Sequence, residues 1–292
     1  MTTATINGVE TVYAVHGSGT PALFIHGGFG GVGSTITGTP GEPNAQAIVE
    51  AAPDGVELIT YDRRCAGRSE YTIDEAYSLE DIAADARALL AYLGHERAII
   101  IGSSMGGMVA QQYALSFPET VSALALLNTG PRLMFDTPWG QRFREIVDRV
   151  NASGAEAVFA EAKQALLEPP APIGNPNSAL AQRAAETRAA YLEAIGGVAE
   201  EDLFRYWRGG VRNYAAFTGY DFTSRLGEIA SIDAPKLIVH GDADSVVPFS
   251  DAETLRDGLG AVEFHAIGGA DHGITQYPEA REVIRTWLER VA

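Results

Sequence analysis

Two serines lie side by side in Gly102-Ser103-Ser104-Met105-Gly106, between the apolar run Ala98-Ile99-Ile100-Ile101 and a helical pattern that begins at Met108. A serine that attacks a carbonyl needs a hydroxyl projected from a sharp turn, a base beside it, and backbone donors aimed at the forming oxyanion. The pattern G-x-S-x-G between strand and helix supplies such a turn. Its register selects Ser104. Gly102 and Gly106 stand two residues before and after it, whereas Ser103 has Met105 at the second position. A helix starting after Ser104 would also direct the positive end of its dipole at an oxyanion.

A base and an orienting acid are expected downstream, in the order serine, acid, histidine. Residues 236–239 read as a strand and are followed by His240-Gly241-Asp242-Ala243-Asp244-Ser245. Residues 262–267 read as another, followed by Gly268-Gly269-Ala270-Asp271-His272-Gly273. Acid and histidine would then sit past the carboxyl ends of strands, where open α/β sheets bind ligands. His272 is the candidate base; His265 within a strand and His240 at a strand end are read as structural. Asp242 and Asp244 both qualify as the acid. The glycines of His26-Gly27-Gly28-Phe29-Gly30-Gly31, after an apolar run at 22–25, would free the Gly28 N–H to join that of Met105 as oxyanion donors. A phosphate-binding loop is the competing reading, but the flanking residues of G-x-x-x-x-G-K-[ST] and of a dinucleotide fingerprint are missing.

The elements that must hold these residues follow from periodicity. Residues 3–6 and 9–15 flank Asn7-Gly8, a hairpin signal. Continuous apolar runs at 22–25, 56–61, 98–101 and 121–127 suit strands buried on both faces, as in a parallel sheet. Ser78-Leu79-Glu80-Asp81 resembles a capping box and opens a helix that buries Ile82, Ala86 and Leu89. After Gly130 the strands cease. Alanine-rich helices are predicted near 154–167, 178–195 and 199–217, interrupted by Glu168-Pro169-Pro170-Ala171-Pro172 and by Gly196-Gly197. Strand and helix then resume, closing with a helix at 279–291. The expected organisation is an α/β core of residues 1–130 and 227–292 with a helical cap at 131–226. The cap aromatics Phe135, Trp139, Phe143, Tyr191, Phe204, Tyr206, Trp207, Tyr214 and Phe217 are read chiefly as packing.

The 292 residues suffice for this arrangement, and 46% of them are apolar. The net charge of −17 opposes binding to nucleic acid or to anionic membranes. The single cysteine, Cys65, excludes an intrachain disulfide and a multi-cysteine metal site. With neither a signal-peptide pattern nor an apolar run of spanning length, a cytoplasmic protein is expected. No metal and no cofactor is expected, the partner is a small-molecule substrate, and a homo-oligomer stays open.

These motifs, in this order and spacing from about residue 9 to the end, resemble the α/β-hydrolase superfamily. Asp62-Arg63-Arg64-Cys65-Ala66-Gly67-Arg68-Ser69 is similar to that family's D-x-R-G-x-G-x-S turn, with Cys65 where glycine is usual; Cys65 packs as a small thiol or lines the pocket. The resemblance implies a mostly parallel sheet flanked by helices, and it selects Asp244 over Asp242 as the acid. It further implies Ser104, Asp244 and His272 as the catalytic set, with Gly28 and Met105 as the oxyanion hole. An ester or lactone hydrolase is the expected activity. The alternatives are a proline iminopeptidase-like aminopeptidase, from which Phe29 and Met105 depart, a carbon–carbon bond hydrolase, and a non-catalytic receptor of the same fold. The cap shows no basic cluster in sequence, so a mostly apolar acyl pocket is expected. Glu200, Glu201 and Asp202 could capture a substrate amino group, or simply form a solvated helix N-terminus.

Overall fold

The turn pair Asn7-Gly8 has positive φ at both residues (48° and 80°), the geometry that matches strand twist in a two-residue hairpin. It joins β1 (Thr2–Ile6) to β2 (Val9–Gly17), pairing Ile6 with Val9. In the computed structural model, which describes every residue except 40, 42, 72–75, 133–137 and 168–178, this hairpin forms one edge of a single eight-stranded sheet. The remaining strands are β3 (Gly19–Ile25), β4 (Gly55–Tyr61), β5 (Ala98–Ser103), β6 (Val121–Leu127), β7 (Lys236–Gly241) and β8 (Glu263–Ile267). Their spatial order is β1-β2-β4-β3-β5-β6-β7-β8, antiparallel at the hairpin and parallel from β4 onward.

Apolar residues alternate between the two faces of the central strands. Leu23, Ile25 and Ile100 join one core, while Ala22, Phe24, Ile99 and Ile101 join the other. The first core is covered by α2 (Leu79–Tyr92), α3 (Met105–Ser116), α8 (Leu226–Ala230) and α9 (Phe249–Leu259); the second by α1 (Pro43–Ala51) and α10 (Pro278–Val291). Helix α2 starts at the expected capping box, with Asp81 N–H donating to Ser78 Oγ at 3.2 Å and Ser78 N–H donating back to Asp81 Oδ2 at 2.7 Å. Helices α1, α8 and α9 were not expected, nor was the helix at 138–153. Helix α3 begins at Met105, three residues earlier than its apolar pattern, because its glycines pack rather than turn.

The alternation breaks after β6 as predicted. Helices α4 (Pro138–Ser153), α5 (Ala155–Leu167), α6 (Ala179–Gly196) and α7 (Glu200–Phe217) follow before β7. The chain leaves and re-enters the sheet body at one point: Arg132 bridges to Asp221, and Phe222 N–H donates to Pro131 O at 2.8 Å. Aromatics do pack here, Phe159 against Phe204 and Trp207, and Phe143 stacked on Tyr214 at 4.5 Å. Phe135, the Trp139 side chain and the proline segment 168–172 lie outside the described residues. Among the described residues no helix is long and apolar enough to cross a membrane.

Candidate active site

The connection from β3 runs to β4 on one side, and β5 returns on the other, so the strand order reverses between β3 and β5. Ligands of open α/β sheets bind outside the carboxyl ends of strands at such a point. The loops after β3, β5, β6, β7 and β8, neighbours in the sheet, carry Gly28, Ser104, Asn128, Asp244 and His272 in that spatial order.

Ser104 occupies the turn between β5 and α3 with φ 53° and ψ −122°, a conformation L-residues adopt rarely. Surrounding contacts hold it there. Its N–H donates to Leu127 O at 2.9 Å, and its carbonyl accepts from Gly107 N–H at 2.9 Å and from the Thr129 hydroxyl at 2.7 Å. The two flanking glycines are required by close approach: a Cβ on Gly102 would lie 2.4 Å from Gly106 O, and one on Gly106 would lie 2.0 Å from Ile25 O. Ser103 is fully buried, and its hydroxyl donates to Asn128 Oδ1 at 3.2 Å. The two serines thus face different surroundings, Ser104 Oγ lying 3.0 Å from His272 Nε2 and Ser103 lying in the core.

His272 reaches both expected partners. Its Nε2 lies 3.0 Å from Ser104 Oγ, and its Nδ1 lies 2.9 Å from Asp244 Oδ2 and 3.2 Å from Oδ1. The Asp244 side chain is wholly buried, and its Oδ1 accepts the N–H groups of Val246 and Val247, both at 2.8 Å. Burial alone would raise its pKa. The hydrogen bond and positive charge of His272 and the two amides outweigh it, leaving the carboxyl below its ordinary value. Asp242 is turned away, exposed, accepting from Gly269 N–H at 2.6 Å. A carboxylate, imidazole and hydroxyl in this sequence can draw a proton from serine and return it to a leaving group.

Ile25 pairs with Gly102 across β3 and β5, and Gly28 and Met105 each lie three residues along the chain beyond their member of that pair. Met105 opens helix α3, so its N–H is one of the unsatisfied groups at a helix N-terminus.

Further polar side chains meet these residues, and of them Asn128 escaped the sequence reading. Asn128, with φ 39° just past β6, brings Nδ2 to 3.4 and 3.5 Å from the two ring nitrogens of His272. His240 donates from Nε2 to Val247 O at 3.0 Å and lies 3.4 Å from Asp244 Oδ2, so this strand-end histidine is structural yet touches the acid. Asp271 links two loops: its Oδ1 accepts from Ser245 N–H, the Ser245 hydroxyl and His272 N–H at 2.9, 2.8 and 2.8 Å. Asn128 directly follows a buried strand and His240 lies near the end of one, a position the sequence does mark. Cys65, at φ 54°, is buried, and burial pushes its thiol pKa up.

A cavity of about 430 Å³ between α4, α5 and α7 is lined by Val150, Ala155, Trp207 and Val211 together with Glu156, Arg208 and Arg212. The two arginines sit at i and i+4 of α7, a basic pair that the sequence reading did not single out.

The model of the alpha/beta hydrolase fold matches residues 20–275. A protein of Variovorax paradoxus assigned by name as a carbamate hydrolase, RutD, is 28% identical over 96% of each chain. A non-heme haloperoxidase of Rhodococcus erythropolis is 26% identical over 92% of this chain and 91% of its own. Among solved structures, a thermophilic esterase from Thermogutta terrifontis superposes with a TM-score of 0.72 at 22% identity, covering 99% of this chain and 98% of that one, a likeness of fold.

Proposed function

The chain belongs to the alpha/beta hydrolase fold family, and from that premise we propose that it is a serine hydrolase cleaving a carboxylic ester or lactone through an acyl-enzyme. The observation that carries the reading is the continuous line Asp244–His272–Ser104, with 2.9 Å and 3.0 Å links. Ser104 Oγ attacks the acyl carbonyl while His272 Nε2 takes its proton. The N–H groups of Gly28 and Met105 receive the oxyanion, where prearranged donors contribute most to acyl transfer. His272 then protonates the leaving alkoxide, and the acyl-enzyme is hydrolysed by water that His272 activates in turn. Asp244 holds the Nδ1–H tautomer and stabilises the imidazolium. Helices α4, α5, α6 and α7 would cover this site as a cap and supply the acyl-binding surface.

A carbamate is the second reading, favoured by the name of the Variovorax relative. Its carbonyl takes the same attack, but nitrogen donation makes it less electrophilic. The aminopeptidase reading loses support from the acidic run of α7. Glu200 pairs with Lys163 at 2.6 Å and Asp202 with Arg205 at 3.3 Å, on exposed side chains suited to solvated ion pairs. Comparing kcat/KM for an aryl ester, a lactone, an aryl carbamate and a prolyl arylamide tests the reading. A higher value for the carbamate or the arylamide than for ester and lactone overturns it.

A further inference from the structure

Gly28 has φ 43° and no side chain to hold it, yet its N–H must keep one direction if it is to receive an oxyanion. Both peptide planes that meet at its α-carbon are fixed through their carbonyls. The Gly27 carbonyl, in the same peptide as the Gly28 N–H, accepts from His26 Nδ1 at 2.6 Å. The Gly28 carbonyl accepts from Arg63 Nη2 at 2.5 Å. Arg63 N–H donates to His26 Nε2 at 3.2 Å, so a carbonyl on one ring nitrogen and an amide donor on the other fix the neutral Nδ1–H tautomer of His26.

Arg63 is 1% exposed, and its guanidinium continues away from the site. Its Nη1 donates to Asn213 Oδ1 at 3.3 Å, and Phe217 lies beneath it at 5.6 Å, both residues of helix α7. Asn213 is itself fully buried. Its Nδ2 donates to the carbonyls of Arg64 at 3.0 Å and Cys65 at 2.7 Å, clamping α7 to the loop that carries Arg63. One planar fork therefore touches the oxyanion loop with one nitrogen and the insertion with another, a two-partner geometry that arginine supplies and lysine does not.

We propose that Arg63 is a positioning residue for the oxyanion hole, tying the direction of the Gly28 N–H to the seating of helix α7 through Asn213. The inference rests on the serine-hydrolase reading above. Arg63 touches no substrate; it acts through the Gly28 peptide. Since a displacement of about 1 Å in a reacting group can cost about 100-fold, loss of the fork falls on the transition state rather than on substrate binding.

Phenylboronic acid is the probe, because its tetrahedral adduct on Ser104 places an oxygen in the oxyanion hole. Wild-type protein that forms no such adduct by boron NMR would overturn the hydrolase reading and this inference with it. Given the adduct, Arg63→Gln is expected to lower kcat roughly 30- to 100-fold. KM should stay within about threefold, with boronate affinity falling in step with kcat, because the fork acts on the oxyanion and not on the ground state. Arg63→Lys should recover only part of the loss. Asn213→Ala, which leaves the guanidinium in place, should show the same split at roughly tenfold. Should Arg63→Gln fail to fold, Asn213→Ala decides alone. Folded variants with wild-type boronate affinity, or with KM raised in place of a lowered kcat, overturn the proposal.

Discussion

The two halves of the site are held by different forces. On the nucleophile side, backbone presses on backbone: a Cβ at Gly106 would sit 2.0 Å from Ile25 O and 2.6 Å from His26 O. On the acid and base side, hydrogen bonds hold the loops, through Asp244 to the amides of Val246 and Val247 and through Asp271 to Ser245 and His272. There a Cβ at Gly268 would meet nothing within 4 Å, while at the base of these loops one on Gly241 would lie 2.2 Å from Ala270 O. Steric contact tolerates no added atom, whereas a hydrogen-bonded loop keeps its shape under isosteric change and loses only its electrostatics. An added atom on the nucleophile side should therefore cost the fold, and an isosteric change on the acid and base side should cost turnover.

The largest effect tests that contrast directly. Gly106→Ala is expected to leave little folded protein, seen as lost near-ultraviolet circular dichroism, because the obstruction is strand backbone that cannot step aside. Gly268→Ala should fold and shift stability by under about 1 kcal/mol, being a surface change without strain. Equal tolerance at both positions would break the comparison.

Ser104→Ala should keep the fold and lower kcat on an aryl ester by about 10⁶, as removal of a serine nucleophile does elsewhere. Retention of more than 1% of turnover would transfer the attack to another group. Asp244→Asn should cost about 10⁴ in kcat by losing the correct imidazole tautomer. Asp242→Asn, on an exposed side chain held only by Gly269 N–H, should stay within about threefold, a surface change without such a role. The reverse ranking would move the acid to Asp242.

What the sequence made legible were features whose cause is local. The spacing of Gly102, Ser104 and Gly106, the Asn7-Gly8 turn and the Ser78–Asp81 box each act within a few residues, so pattern alone finds them. The continuous apolar runs placed the central strands for the same reason. The apolar pattern of helix α3 begins at Met108, three residues past its start, because Gly106 and Gly107 carry no side chain to mark it. In the fold they are helical, since only glycine lets the helix lie against Ile25 and Thr129. Arg63 and Asn213 were unreadable as site residues. Their partners lie far away along the chain, as with Arg63 and Asn213, 150 residues apart. Nothing local marks an arginine as reaching a glycine carbonyl 35 residues earlier.

Asp271 refines the second half of the comparison. It does not reach the imidazole ring, so it cannot replace Asp244, yet it joins the loop after β7 to the loop after β8. Asp271→Ala should lower kcat roughly tenfold, because it loosens the spacing between acid and base without removing either. Asp271→Asn, which keeps an accepting oxygen, should be milder. An effect as large as that of Asp244→Asn would mean that Asp271 acts on the ring.

The smallest expected effect places one buried histidine in each half. Burial drives the pKa of His26 well below the ordinary imidazole value, with the Arg63 charge adding to it, and burial likewise lowers that of His240. In the unfolded chain both return to about 6.5. Below that pH the unfolded state binds protons that the folded state refuses, so stability falls as pH drops through the imidazole range. Between pH 7.5 and 5.5 His26 should remove on the order of 1 kcal/mol, and His240 no more than that. Asp244, held below its ordinary value, adds its loss only nearer the carboxylate range, where burial of Asp62 and Asp85 opposes it by raising theirs. The window above pH 5.5 therefore belongs to the histidines, with part-buried His16 shifted in the same direction. Urea unfolding at pH 7.5, 6.5 and 5.5 measures the slope, and His240→Gln should flatten it in part while His26 maintains the remainder. A flat profile in the wild type would mean that both imidazoles are charged in the fold, which would undo the neutral tautomer assigned to His26.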